Sequence, residues 1–93
     1  MMLQPNSTTV QATTVDIRSD TSVQNKSWVT LVIVSINHKE GPQLLSVGEL
    51  LPSFTFEEVS TLKKGDFIQG DIEVLGDASH RTYQLSNIAL VAK

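Results

Sequence analysis

Apolar and polar positions alternate along most of this chain with a period of two, the mark of half-buried strands. The clearest case is Phe67 to Leu75. Ile68, Gly70, Ile72 and Val74 fall on one face, and Phe67, Gln69, Asp71 and Glu73 on the other. A glycine inside such a strand predicts a bend or the close approach of another segment, so Gly70 is expected to mark one. The strongest strand is Trp28 to Ile36, where Trp28, Thr30, Val32, Val34 and Ile36 share one face and Val29, Leu31, Ile33 and Ser35 the other. Both faces are apolar. A central strand covered on both sides does this, as does a barrel strand whose outer face meets a helix or a partner chain. Alternation alone does not choose the inner face.

Two further strands slip phase. In Thr8 to Asp20, Val10 and Ala12 have one parity and Val15 and Ile17 the other. One extra residue around Thr13-Thr14 predicts a β-bulge, which bends a strand. In Thr82 to Val91 the apolar set shifts from Tyr83 and Leu85 to Ile88 and Leu90, placing a second bulge near Ser86-Asn87. Between the first two strands, Thr21 to Ser27 is polar and reads as a hairpin turn. Asn37 to Pro42 reads as a turn, and Gln43 to Leu51 as a weaker strand interrupted by Gly48 and ended by Pro52. Gly76 to His80 is a loop. Residues 1–8 read as a flexible N-terminal tail and 9–93 as a single domain.

The remaining stretch, Pro52 to Asp66, carries helix signals. Thr55 and Glu58 have capping-box spacing, and Phe54 and Val59 stand at the positions of a hydrophobic staple. Lys63 and Lys64 suit the negative end of a helix dipole, and Gly65 can close the helix in the left-handed conformation. The expected helix, Phe56 to Lys64, is too short to be stable alone and would plug something built from strands. The resulting order is strand, strand, strand, helix, strand, strand. That is all-β with one short helix, the layout of a five-stranded OB-fold barrel with the helix stopping one end.

Composition narrows the function without naming it. Ninety-three residues make one core. There is no cysteine, so no disulfide or thiolate metal site. No apolar run reaches the ~18 residues of a membrane span, and no basic region precedes an apolar one at the N-terminus as in a signal peptide. An intracellular protein, cytoplasmic or nuclear, with no membrane partner is expected. The net charge of −3 counts against holding phosphate by bulk electrostatics. The acids concentrate between Phe54 and Ala78, with six acids against two bases; the remainder holds five bases against four acids. A phosphate-binding face would therefore lie away from that segment. His38 and His80 are lone histidines in turns, and five scattered glycines form no phosphate loop. No enzyme, cofactor or metal is expected.

The run Leu62-Lys63-Lys64-Gly65-Asp66-Phe67-Ile68-Gln69-Gly70-Asp71-Ile72-Glu73-Val74 resembles single-stranded nucleic-acid-binding OB domains, in which a Gly-Asp turn leads into the fourth strand. Asn25 to Ile33 resembles the first hairpin of such domains. Tyr83 to Lys93 is fainter in its similarity to the last strand of small filamentous-phage DNA-binding proteins. The chain departs from that family in its acidic balance and its five aromatics. The resemblance implies a binding face over the second and third strands, flanked by the first-second and fourth-fifth loops. It implies single-stranded DNA, or RNA, bound without strong sequence preference in replication, recombination or repair. Bases would stack on Trp28 and Tyr83, and phosphates would meet Arg18, Lys26, His80 and Arg81. Each has a plainer reading: Trp28 and Tyr83 as core residues, the charged four as solvated surface. Phe54 and Phe56 read as staple and core, and Phe67 as exposed for binding or covered by the tail. The alternative function is a protein–protein subunit or scaffold. A homodimer or larger oligomer, through the doubly apolar strand, is compatible with either.

Overall fold

The computed structural model describes residues 6–41, 44–76 and 79–91. Five strands run in chain order as β1 Ser7–Ser19, β2 Ser27–Glu40, β3 Leu50–Thr55, β4 Phe67–Gly76 and β5 Arg81–Leu90. They close into a barrel in the order β1-β2-β3-β5-β4, with β4 returning to β1. Every pairing is antiparallel except β3 with β5. This arrangement is compatible with an OB fold.

Two of the bends fall where the phase slips; two further register shifts, between Thr9 and Val10 and between Gln11 and Ala12, leave Asn37 and Val34 of β2 as extra residues that the pattern did not mark. Thr14 pairs with Leu31 and Asp16 with Thr30, so Val15 is the extra residue in β1, one or two positions beyond the expected site. This bend lets β1 pair with β2 along its length and with β4 through Thr8–Thr13. In β5 the slip lies between Ser86, opposite Asp71, and Ala89, opposite Gln69, with Asn87 at φ 54°. Gly70 faces this second bulge. A Cβ there would stand 2.7 Å from Leu85 Cδ1 and 3.3 Å from the Ser86 carbonyl oxygen, which is the close approach the glycine predicted.

The inner face of β2 is Val29, Leu31 and Ile33. They join Val10, Ala12, Leu45, Leu51, Ile68, Ile72, Val74 and Leu85 in one buried cluster. Trp28, Thr30, Val32 and Val34 therefore face outward.

Four expectations are corrected. The chain enters the fold before residue 9: Asn6 is buried, its Nδ2 donates to the Val74 carbonyl, and its Oδ1 accepts from the Val74 amide, both at 2.9 Å. The side-chain amide thus acts as one more rung on the edge of β4. Residues 1–5 of the expected tail lie outside the described residues. The turn expected from Asn37 is strand as far as Glu40, because Ser7, Thr8 and Thr9 pair with Glu40, Lys39 and His38; Pro42 lies outside the described residues. The third strand begins at Leu50, near the expected end, and runs through Pro52, which sits opposite Thr30. Proline is tolerated because its missing N–H costs nothing on a sparsely paired edge, and β3 meets β5 only at Phe54 opposite Gln84.

The helix is the fourth. Residues 56–66 are irregular, with a bend at Glu57 and turns at 60–61 and 64–65, and no helix occurs among the described residues. Thr55 lies in β3, opposite Ser27, and its Oγ1 accepts from the Glu57 amide at 3.1 Å. Glu58 Oε1 accepts from Ser60 N at 2.9 Å, and Asp66 Oδ2 from Lys63 N at 2.8 Å. The last two bonds satisfy amides, those of Ser60 and Lys63, that a helix would have claimed. A two-turn helix has little cooperativity with which to compete. The covering role survives: Val59 and Leu62 pack against the core. The Gly65 amide donates to the Thr14 carbonyl, and the Thr14 amide to that of Asp66, at 2.7 and 2.8 Å, with Gly65 at φ 94°.

Candidate functional site

The outward face of β2 and β3 is a ladder of pairs: Trp28 opposite Phe54, Thr30 opposite Pro52, and Val32 opposite Leu50. No charged residue occurs from Ser27 to Asn37 or from Leu50 to Phe56. One end of the ladder is aromatic. Trp28 and Phe54 meet edge to face at 5.8 Å between centroids and 63° between planes, and Phe54 and Phe56 do so at 5.8 Å and 78°. Trp28 and Phe54 are half-buried, while Phe56 is 53% exposed. The other end is aliphatic, where Val34, Val47 and Leu50 are 46%, 62% and 61% exposed.

Lys26 leaves the β1–β2 loop and lays its ammonium over the aromatic end. Its Nζ is 4.8 Å from the Trp28 ring centroid and 4.7 Å from that of Phe54. An ammonium over a ring face is attracted by the ring quadrupole. Arg18 sits opposite Trp28 across the β1–β2 pair. Arg18, Ser19, Asp20, Thr21 and Trp28 line a cleft of about 270 Å³.

Asp20 organises this loop. Its Oδ1 accepts from the amides of Ser22 and Val23 at 2.7 and 2.8 Å, and its Oδ2 from Trp28 Nε1 at 2.8 Å. The loop closes with the Asp20 amide donating to the Lys26 carbonyl at 2.9 Å, and Asn25 takes φ 62°. The Trp28 hydrogen bond first, then the Ser22 and Val23 amides, lower the Asp20 pKa from 3.8 to about 2.

On the far side of the aromatic end, Asn25, Ser27, Phe56, Glu57 and Glu58 line a second cleft of about 180 Å³. Glu57 is committed: Oε2 accepts from Asn87 N at 2.6 Å and Oε1 from Ile88 N at 3.1 Å. Its carboxylate thereby satisfies the amides of the β5 bulge. The aromatic chain thus has a basic flank, Arg18 and Lys26, and an acidic flank, Glu57 and Glu58.

Of the six residues singled out from the sequence, Trp28, Lys26 and Arg18 come together here. Tyr83 does not: it sits on β5 opposite Val74, half-buried and packed against the core. His80 and Arg81 are exposed at the β4–β5 turn. Arg81 is three residues from Gln84, which faces Phe54, or about 10 Å along the strand at a rise of ~3.3 Å per residue. Phe67 is half-buried on β4 opposite Thr13.

Phe54, Phe56 and Asp20 were not expected in the site. The signal for the phenylalanines was present, since Leu51, Ser53 and Thr55 share one parity and Pro52, Phe54 and Phe56 the other. That period-two pattern was outweighed by the capping spacing. Comparison with protein-family models, curated proteins and solved structures gives no match.

Proposed function

We propose that this barrel binds single-stranded nucleic acid, DNA in the first place, across the outer face of β2 and β3. The reading rests on one observation: three aromatic rings in series on an outward sheet face, with Lys26 and Arg18 beside them. Bases stack on exposed rings without regard to sequence, each contributing ~1–3 kcal/mol. Arg18 and Lys26 meet the phosphates, and His80 and Arg81 add contacts at the start of β5, which runs parallel to β3 and so brings them toward its Leu50 end. The role is non-catalytic, in replication, recombination or repair. The acidic total is not an obstacle, because the ladder itself is free of charge and Asp20, on its basic flank, is engaged by Trp28 and the Ser22 and Val23 amides.

The test is titration of a labelled mixed-sequence single strand at two salt concentrations. With two to four phosphate contacts, log affinity falls against log salt with a slope of about −1.4 to −2.8. Absence of binding at low salt overturns the reading.

A second reading, contact with a protein partner, is favoured by the aliphatic end of the ladder, where Val34, Val47 and Leu50 stand together in exposure. Apolar surface of this kind marks protein interfaces. It predicts no oligonucleotide binding and a stable complex through that end.

A further inference from the structure

We propose that the cleft beside Phe56 favours cytosine over thymine, with Glu58 as the discriminating group. This rests on the single-strand reading above and adds a base preference at one position.

The cleft is lined by Asn25, Ser27, Phe56, Glu57 and Glu58, with Phe56 53% exposed. A base stacked on Phe56 turns its edge toward these groups. The Glu57 oxygens are both engaged by the bulge amides, so it is a fixed wall. Glu58 accepts the Ser60 amide through Oε1, and its Oε2 accepts no hydrogen bond from the described residues.

A carboxylate can only accept. Cytosine carries an amino donor at the position where thymine carries the acceptor O4. Beside Glu58 the amino group of cytosine projects freely and gains a charge-assisted hydrogen bond, whereas the one donor of thymine, N3–H, lies between two carbonyl oxygens that the carboxylate meets oxygen to oxygen. Asn25, with both a donor and an acceptor, can serve the neighbouring atoms of cytosine. The same carboxylates repel phosphate, which directs the backbone to the Arg18 and Lys26 flank and the base edge to the Glu58 flank. Phosphate contacts carry no sequence information, so the preference arises where a base edge meets this cleft.

Oligo(dC) and oligo(dT) of equal length are the suitable probes, since both are pyrimidines and stack comparably. Fluorescence anisotropy at neutral pH reads each affinity for the native protein and for Glu58→Gln. The variant keeps the shape and an acceptor but adds a donor that thymine O4 can use. The native protein binds oligo(dC) about five-fold or more tightly than oligo(dT), the low end of one base-edge contact. In Glu58→Gln the ratio falls below about two-fold, with an unchanged circular-dichroism melting curve. Equal or tighter binding of oligo(dT), or a preference that survives in Glu58→Gln, overturns the proposal while leaving the single-strand reading standing. If neither oligonucleotide binds, both fail.

Discussion

The indole Nε1 of Trp28 donates to Oδ2 of Asp20 at 2.8 Å, across eight residues of chain and the whole β1–β2 loop. The carboxylate that holds the ring also takes the Ser22 and Val23 amides. One side chain therefore sets both the turn and the orientation of the largest aromatic on the outer face. Its lowered pKa, about 2 against 3.8, states the same preference for the charged form. For a carboxyl with a depressed folded pKa, the stabilisation is complete above the unfolded value and is lost as pH falls through the folded one. Trp28 fluorescence should be constant from neutral pH to about 4 and change between about 4 and 2. Asp20→Asn should show a shifted emission already at neutral pH and lack that component of the acid transition. An identical acid profile in the variant would exclude Asp20 as the brace.

Trp28 and Phe56 should separate from Tyr83 in binding. Trp28→Ala and Phe56→Ala each weaken single-strand affinity by ~1–3 kcal/mol if a base stacks there, read by anisotropy. Tyr83 packs on the core and is absent from the aromatic chain, so Tyr83→Phe, which keeps the ring, leaves affinity unchanged. The reverse pattern would move the binding face to β5.

Gly70→Ala tests the packing at the β5 bulge. The new methyl meets Leu85 Cδ1 at 2.7 Å and the Ser86 carbonyl at 3.3 Å. The leucine tip can rotate away, but the carbonyl belongs to the paired strand and cannot. Overpacking of this kind costs ~1–3 kcal/mol, to be measured as a lower midpoint in urea with an unchanged slope.

Gly70 and the bulges at Val15 and Asn87 were legible in the sequence because each rests on side-chain parity, which only strand geometry produces; the shifts at Val34 and Asn37 of β2 left no such trace. The inner face of β2 was not legible, since both parities are apolar and only the partners decide: Val29, Leu31 and Ile33 turn inward to meet Val10, Ile72 and Leu85. The helix expected from Phe56 to Lys64 does not form, for a related reason. Thr55 and Glu58 have capping spacing, and Thr55 accepts the Glu57 amide as a cap would, but Glu58 turns to the Ser60 amide and leaves the box incomplete. Pairing of Phe54 with Trp28 and of Thr55 with Ser27 extends β3 through the cap position. The same pairing puts the two phenylalanines in the candidate site, so the helix and the missing half of that site were one error. The Asp20–Trp28 bond spans a loop, and no local pattern announces it.

Glu57 and Glu58 are adjacent, exposed and alike in sequence, yet they should behave oppositely on truncation. The Glu57 carboxylate bridges from the β3–β4 connection to the Asn87 and Ile88 amides, thirty and thirty-one residues away. Those amides belong to the bulge, where the regular ladder is interrupted, so Glu57 supplies the acceptors that the ladder does not. Among the described residues Glu58 bonds only to Ser60, two residues away, a contact that an unfolded chain can also make. Hydrogen bonds to a charged group contribute ~1.5–3 kcal/mol when shielded and less in solvent, so Glu57→Ala should lower stability by about 1–2 kcal/mol. Glu58→Ala should stay within about 0.5 kcal/mol of the native protein. Urea denaturation of the two variants side by side decides the matter. Equal losses would mean that the bulge draws its support from elsewhere, and the bond from Asn87 Nδ2 to Asp71 Oδ2, at 2.7 Å, would be the next to remove.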